Sequence, residues 1–247
     1  IGLNKGGILV VILGLVIFSP ISDGLSTFSV FYGGEYSRIS AIVRALIIVL
    51  VCSNLLLNSK VMATYWLTLY AILLTPFAST SIAYFAENID TRELFENYIF
   101  CLKLLALLVF VPFFLSLSNS SFNTFSFVVD VLIAVYCLAS LCGYFLEISW
   151  MRNYGDSGRF GVKGIISAGN EASVFFMVAL FWSYLRYLNK SNQIYILLIF
   201  LSIIASILTG TKAAFLYLSV FIVCVVVNIY GRKNLFITIP IISVVLA

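Results

Sequence analysis

QIYILLIFLSIIASILTGTKAAFLYLSVFIVCVVVNIY, residues 193–230, is two long apolar runs separated by Thr209-Gly210-Thr211-Lys212. A membrane-crossing helix needs about 20 apolar residues. The stretch therefore predicts a helical hairpin across a bilayer, with spans over 193–209 and 213–230 and a tight turn between them. Thr211 stands where a cap for the second helix is expected, and Lys212 falls in that helix's first turn. A cation there opposes the helix dipole by a few tenths of a kcal/mol. A bound anion would reverse that sign; the plainer alternative is a lysine snorkelling at a span end.

The rest of the chain repeats the apolar pattern. Of 247 residues, 62% are hydrophobic and 10% charged, against roughly 25% charged in a soluble domain. Mean hydropathy is +1.13. Further spans are expected near 8–22, 39–57, 61–85, 98–118, 126–148 and 171–188, with another from Leu235. The fold class is an all-α polytopic membrane protein of about nine spans, one transmembrane domain over 1–247. Pro76 and Pro112 are expected to kink their spans. The chain starts at Ile1 and stops at Ala247 within an apolar run, so a piece of a longer protein is expected. The run Ile8–Ile21 lacks a small-residue cleavage site and reads as a span rather than a signal peptide. The five cysteines lie in apolar runs without metal-ligand spacing, and there is no histidine. This excludes His-based triads and His metal sites, and neither a metal nor any other cofactor is expected.

Loop charges give an orientation. With the N-terminus cytoplasmic, Lys5, Lys60, Arg186, Lys190, Arg232 and Lys233 share the cytoplasmic side. Most carboxylates, among them Asp23, Glu35, Glu87, Asp90, Glu147 and Glu171, fall opposite; Asp130 lies toward the cytoplasmic end. The positive-inside rule favours this arrangement. Arg38, Arg92, Arg152, Arg159, Lys163 and Lys212 then sit on the outer side, against the bias.

Three of these cations belong to the connection before the sixth span. Tyr154 to Asn170 reads YGDSGRFGVKGIISAGN, preceded by Arg152. Its glycines allow backbone amides to approach a ligand, and arginine presents a planar fork of donors to phosphate oxygens. Asn170 is expected to cap the sixth span, whose positive dipole end would face the same region. A flexible, solvated loop is the competing reading. Glu171, at the start of that span, is a candidate base or ion-pair partner. Arg44, about one turn inside the second span, is expected to face the bundle interior, paired with an acid or reaching a ligand. Lys103 is placed similarly on the fourth span. The acidic stretch Glu87–Asn97 reads mainly as a solvated face.

Together the two motifs resemble the O-antigen polymerase and O-antigen ligase family of bacterial envelope glycosyltransferases. The matching residues are Arg159, Gly161 and Asn170-Glu171-Ala172, followed by the span pair joined through Thr209-Gly210-Thr211-Lys212-Ala213. The likeness covers about 155–230; earlier spans match in hydropathy only. The family's large outer loop, with its basic residues and the histidine of ligases, would lie beyond Ala247.

The resemblance implies a GT-C-like helical bundle in the bacterial inner membrane. Its substrates would be undecaprenyl-diphosphate-linked oligosaccharides, used on the outer face. Arg159, Arg152 and Lys212 would bind the diphosphate, Arg44 and Lys163 would support them, and Glu171 would orient a cation or act as base. Asn170 and Thr211 would complete the substrate region, around 150–171 and 209–212. Besides the lipid-linked oligosaccharide and membrane lipid, chain-length regulator and flippase proteins are the expected partners, and nucleic acid is not. Repeat-unit polymerisation is the first reading. Ligation of glycan to a lipid core is the second, and transport of an anionic lipid-linked solute the third.

Overall fold

A computed structural model describes residues 5–33, 39–56, 116–154 and 160–230, with Ala78, Ser81, Ile82, Phe110, Phe113 and Phe114. The spans expected near 61–85 and from Leu235, most of that near 98–118, Lys103, the Glu87–Asn97 stretch and Arg159 lie outside the described residues.

The described residues form helices and no strands. In chain order these are α1 (Lys5–Tyr32), α2 (Ile39–Leu56), α3 (Asn119–Phe145), α4 (Gly169–Lys190), α5 (Gln193–Leu208) and α6 (Lys212–Tyr230), with a 3-10 turn at Ser149–Met151. Among the described residues, three helical stretches, Gly7–Tyr32, Asn119–Phe145 and Lys212–Ile229, are long and apolar enough to cross a membrane. Ile39–Leu55 and Gln193–Leu208 are shorter apolar helices. These are the helices of a membrane protein.

The chain divides into two compact units. The first comprises residues 1–17 and 41–126, the second 18–40 and 127–247. In the first, Val43, Ile47, Val51 and Leu55 are the buried positions of α2. Their spacing of four places them on one face. Near the start of α3, Phe113 and Phe114 pack edge-on against Phe125. Ser118 opens α3, its Oγ accepting from the Ser121 amide at 3.3 Å.

In the second unit, α4, α5 and α6 all pack against one another. Their ends fall within two residues of the expected spans, and the junction of α4 and α5 is chemically marked. Ser191 takes the left-handed conformation after α4, φ 49°, and its amide reaches the Tyr187 carbonyl. Asn192 then caps α5, accepting from the Ile194 amide at 3.1 Å. One core cluster joins Ile133, Tyr136 and Cys137 of α3 with Ala172, Phe176 and Ala179 of α4. It extends to Tyr195, Leu198 and Ala205 of α5.

The first span differs from expectation. Instead of ending near residue 22, α1 continues through Pro20 to Tyr32. Asp23 is therefore not a loop carboxylate but a buried helical one, 5% exposed. Its polar neighbours are satisfied inside the protein, as membrane helices require. Ser22 Oγ donates to the Ser19 carbonyl, Ser26 Oγ accepts from the Ser40 amide, and Thr27 Oγ1 donates to the Ile165 carbonyl.

At the far end of α4 from Gly169, Arg186 is likewise buried rather than a loop cation. Its Nη2 lies 3.1 Å from an Asp130 carboxylate oxygen. Trp182 Nε1 donates to the same carboxylate at 2.8 Å, as does Tyr195 Oη at 3.3 Å. The guanidinium stands 5.2 Å from the Tyr195 ring centroid. Removing one member of such a buried pair strands the other charge and costs about 3–5 kcal/mol, whereas an apolar pair of similar volume is tolerated. Asp130→Leu or Arg186→Leu alone should sharply lower the unfolding temperature in detergent. The double substitution should recover most of the loss. Single variants as stable as the parent would mean the pair does not hold α3 to α4.

Candidate functional site

The connection between α3 and α4 and the turn between α5 and α6 form one structure. The last carbonyls of a helix lack intrahelical partners, and here the connection supplies donors to them. The Val162 amide donates to the Leu208 carbonyl at 2.7 Å, and Asn153 Nδ2 donates to the Thr209 carbonyl at 3.2 Å. The connection is itself paired. Arg152 and Val162 make an antiparallel bridge, the Lys163 amide donates to the Met151 carbonyl at 2.9 Å, and the Asn153 amide to the Gly161 carbonyl at 2.8 Å.

The glycines serve this docking. Gly210 has φ +64°, and a Cβ there would strike the Phe160 carbonyl oxygen. A Cβ on Gly161 would come within 2.7 Å of the Thr209 carbonyl oxygen, and one on Gly169 would run into the Asn153 side chain. At Gly161 and Gly169, where room for a ligand is expected, the space admits another segment of the chain. Gly155 and Gly158 lie outside the described residues.

Hydroxyls fasten the helix starts. Ser173, buried in the second turn of α4, shares a 2.5 Å hydrogen bond with Thr211 Oγ1. It also bonds the Gly169 carbonyl at 2.9 Å and approaches Thr209 Oγ1 at 3.4 Å. Thr211 Oγ1 accepts from the Ala214 amide at 3.1 Å, capping α6. The N-terminal turns of α4 and α6 are thus adjacent, with their positive dipole ends side by side.

Asn170 does not cap α4. The helix begins one residue earlier, at Gly169, and Ala168 occupies the cap position without a side-chain hydrogen bond. Asn170 stands in the first turn, exposed. Gly169 fits beneath Asn153 and starts the helix there, so Asn170 comes too late to cap it. The first-turn amides of α4 thereby go without a side-chain cap.

Lys163 is half-buried, and its Nζ donates to the Ser167 carbonyl at 2.8 Å. Burial holds its amine below the usual lysine range, because desolvation penalises the charged form. Ser167 Oγ donates to a Glu171 carboxylate oxygen at 3.3 Å, which brings Lys163 and Glu171 to one short loop. Arg152 is exposed and lies 3.8 Å from the Glu147 carboxylate. Lys212 is exposed at the first position of α6. Arg44 is half-buried on α2, in the other compact unit.

Sequence reasoning missed Ser173, Asn153 and Asp23. A lone hydroxyl one turn into an apolar span was the signal for Ser173. Asn153 was one more polar residue beside Arg152. Asp23 directly follows the span expected near 8–22 and reads as an outer-side carboxylate. No group of metal-ligating side chains occurs among the described residues.

No family model, curated protein or solved structure matches the chain.

The geometry makes a contrast between positions. Gly210→Ala combines a left-handed backbone with a steric clash, and strain of the first kind alone costs about 1–3 kcal/mol. Asn170→Ala removes an exposed side chain that caps nothing and should shift stability by less than about 0.5 kcal/mol. Thermal unfolding of the two variants in detergent tests both expectations. A stable Gly210→Ala protein would contradict the close approach of turn and connection.

Proposed function

We propose that this chain belongs to a glycosyltransferase that polymerises undecaprenyl-diphosphate-linked oligosaccharide repeats. The reaction would take place on the outer face of the bacterial inner membrane. In this reading the N-terminus is cytoplasmic and about nine spans form a GT-C-like bundle. The observation that supports it most is the union of the two motifs. The Phe160–Asn170 leg and the Thr209–Lys212 turn are bonded through Val162, Asn153 and Ser173. Residues distant in sequence thereby surround two adjacent helix starts, an arrangement suited to an anion.

The chemistry follows from the charges. An acceptor hydroxyl attacks the anomeric carbon of the donor sugar. The bond from that carbon to the diphosphate oxygen breaks, and undecaprenyl diphosphate departs with the electron pair. Negative charge grows on the leaving group, and fixed cations and helix dipoles stabilise it without reorganising. Lys212, Arg152 and Arg159 are assigned to this task, with Lys163 supporting them. Glu171 is assigned the acceptor's proton.

Removing one preorganised charge partner of a transition state lowers turnover by about 10²–10³-fold. Lys212→Ala and Arg159→Ala, each normally inserted, should lose activity to that extent. The readout is release of undecaprenyl diphosphate with polymer growth in proteoliposomes. Full polymer output from Arg159→Ala would remove the assignment, and translocation of substrate without bond change would replace the enzyme with a transporter.

The lysine adds a pH signature. A depressed pKa means that Lys163 loses its charge at lower pH than an ordinary lysine. Donor affinity should therefore begin to fall on the alkaline side earlier than free lysine would dictate. Lys163→Arg should retain affinity through that window, since arginine stays charged. Titrating donor binding against pH for both proteins distinguishes them.

A further inference from the structure

Below the connection lies a second polar cluster, built from three helices around Asp23. One carboxylate oxygen accepts a short hydrogen bond from Ser40 Oγ in the first turn of α2. The other accepts from the Tyr136 hydroxyl of α3 at 2.5 Å. All three residues are buried. Charge inside an apolar helix is costly, on the order of 2.5–3.5 kcal/mol at a span centre, and such residues mark functional positions by default.

The cluster is joined to the candidate site from two sides. On α1, one turn beyond Asp23, Thr27 Oγ1 holds the Ile165 carbonyl at 2.8 Å. A Cβ on Gly24, next to Asp23, would come into van der Waals contact with the Ile165 side chain. On α3, the Tyr136 ring lies 4.6 Å from that of Phe175, one turn along α4 from Glu171. One turn beyond Tyr136, the Ser140 backbone lies under Gly164, whose φ is +65°. The Ser140 hydroxyl is buried without a hydrogen-bond partner. The Gly164–Ile166 leg thus rests on α1 and α3 at the level where Asp23 ties them together.

We propose that Asp23 is a positioning residue of the candidate anion site, acting through Tyr136 and α1 to fix the Lys163–Ile166 leg against α4. Its two oxygens receive two converging O–H donors, one from Ser40 and one from Tyr136. Asp23→Ala removes both acceptor oxygens. Tyr136→Phe removes one of the two donors and keeps the ring against Phe175. The consequence for transfer rests on the function proposed above, whereas the consequence for the leg does not.

Two measurements on the full chain separate these. Hydrogen exchange in detergent reads the leg directly, through the Val162 and Lys163 amides. In both variants these should exchange about tenfold faster while α5 and the body of α4 keep their protection, the mark of local opening. Turnover of the lipid-linked oligosaccharide should fall about tenfold in kcat, with KM within about twofold, as for an interaction that matters chiefly in the transition state. Unchanged exchange at 162–166 would overturn the proposal. So would a uniform rise across all helices, which would make Asp23 a general stabiliser. Local opening in the variants of a parent protein that shows no transfer would uphold the positioning role and sink the glycosyltransferase reading instead.

Discussion

Two carbonyls at the end of α5, those of Leu208 and Thr209, need donors that their own helix cannot give. In an apolar surrounding an unsatisfied carbonyl costs several kcal/mol. The connection provides the Val162 amide and the Asn153 side chain, and the arrangement of the candidate site follows from this satisfaction. To deliver those donors the connection must approach the turn at backbone distance, which Gly161 and Gly210 permit. Once docked, it brings Lys163 and Glu171 to the same end of α4 as Thr211 and Lys212. Cations on two separate loops would otherwise have no fixed relation. Here the backbone sets it, before any side chain chooses a rotamer.

The interior of the second unit is organised by polar groups as much as by apolar ones. Lipid tails are as apolar as leucine, so apolar burial alone does little to select one helix partner over another. Asp23 with Tyr136 and Ser40, and Asp130 with Arg186, Trp182 and Tyr195, specify partners that van der Waals packing alone would leave loosely chosen. Some of the buried serines differ from these. Ser183 and Ser206 are buried with hydroxyls that find no partner. What they contribute at these positions is small volume, which lets neighbouring backbones come close.

How much was legible depended on whether a residue's role was local. The hairpin of α5 and α6 was readable because apolar length and the Thr-Gly-Thr-Lys turn are local signals, and Thr211 caps α6 as its position implied. The cap of α4 was not. Asn170 has the right chemistry, but the start of the helix is set by Gly169 fitting under Asn153, a contact between residues sixteen positions apart in number. The extension of α1 failed for the same reason. Read alone, Asp23 closes the apolar run, whereas its bonds to Ser40 and Tyr136 hold it buried within the helix. Within the connection, Gly161, Gly164 and Gly169 suggest room for a ligand, yet each gives room to the chain itself.

The same distinction bears on the charge argument for orientation. Arg186 entered the tally as a loop cation, yet it is buried against Asp130 near the end of α4. Asp23 entered as an outer carboxylate, yet it is buried in α1. A charge matched to a buried partner is retained for packing and says less about which side a loop prefers. Removing Asp23 leaves the rule untouched, since its basis is lysine and arginine. Setting Arg186 aside weakens the bias by one cation on the side proposed as cytoplasmic and leaves Lys190 at the same end of α4. Lys163, Arg152 and Lys212 remain at the opposite end as cations the bias does not account for. None of the three has a buried ion-pair partner among the described residues. Their excess at the docked connection, rather than the overall charge, is therefore what a functional account of this chain has to explain.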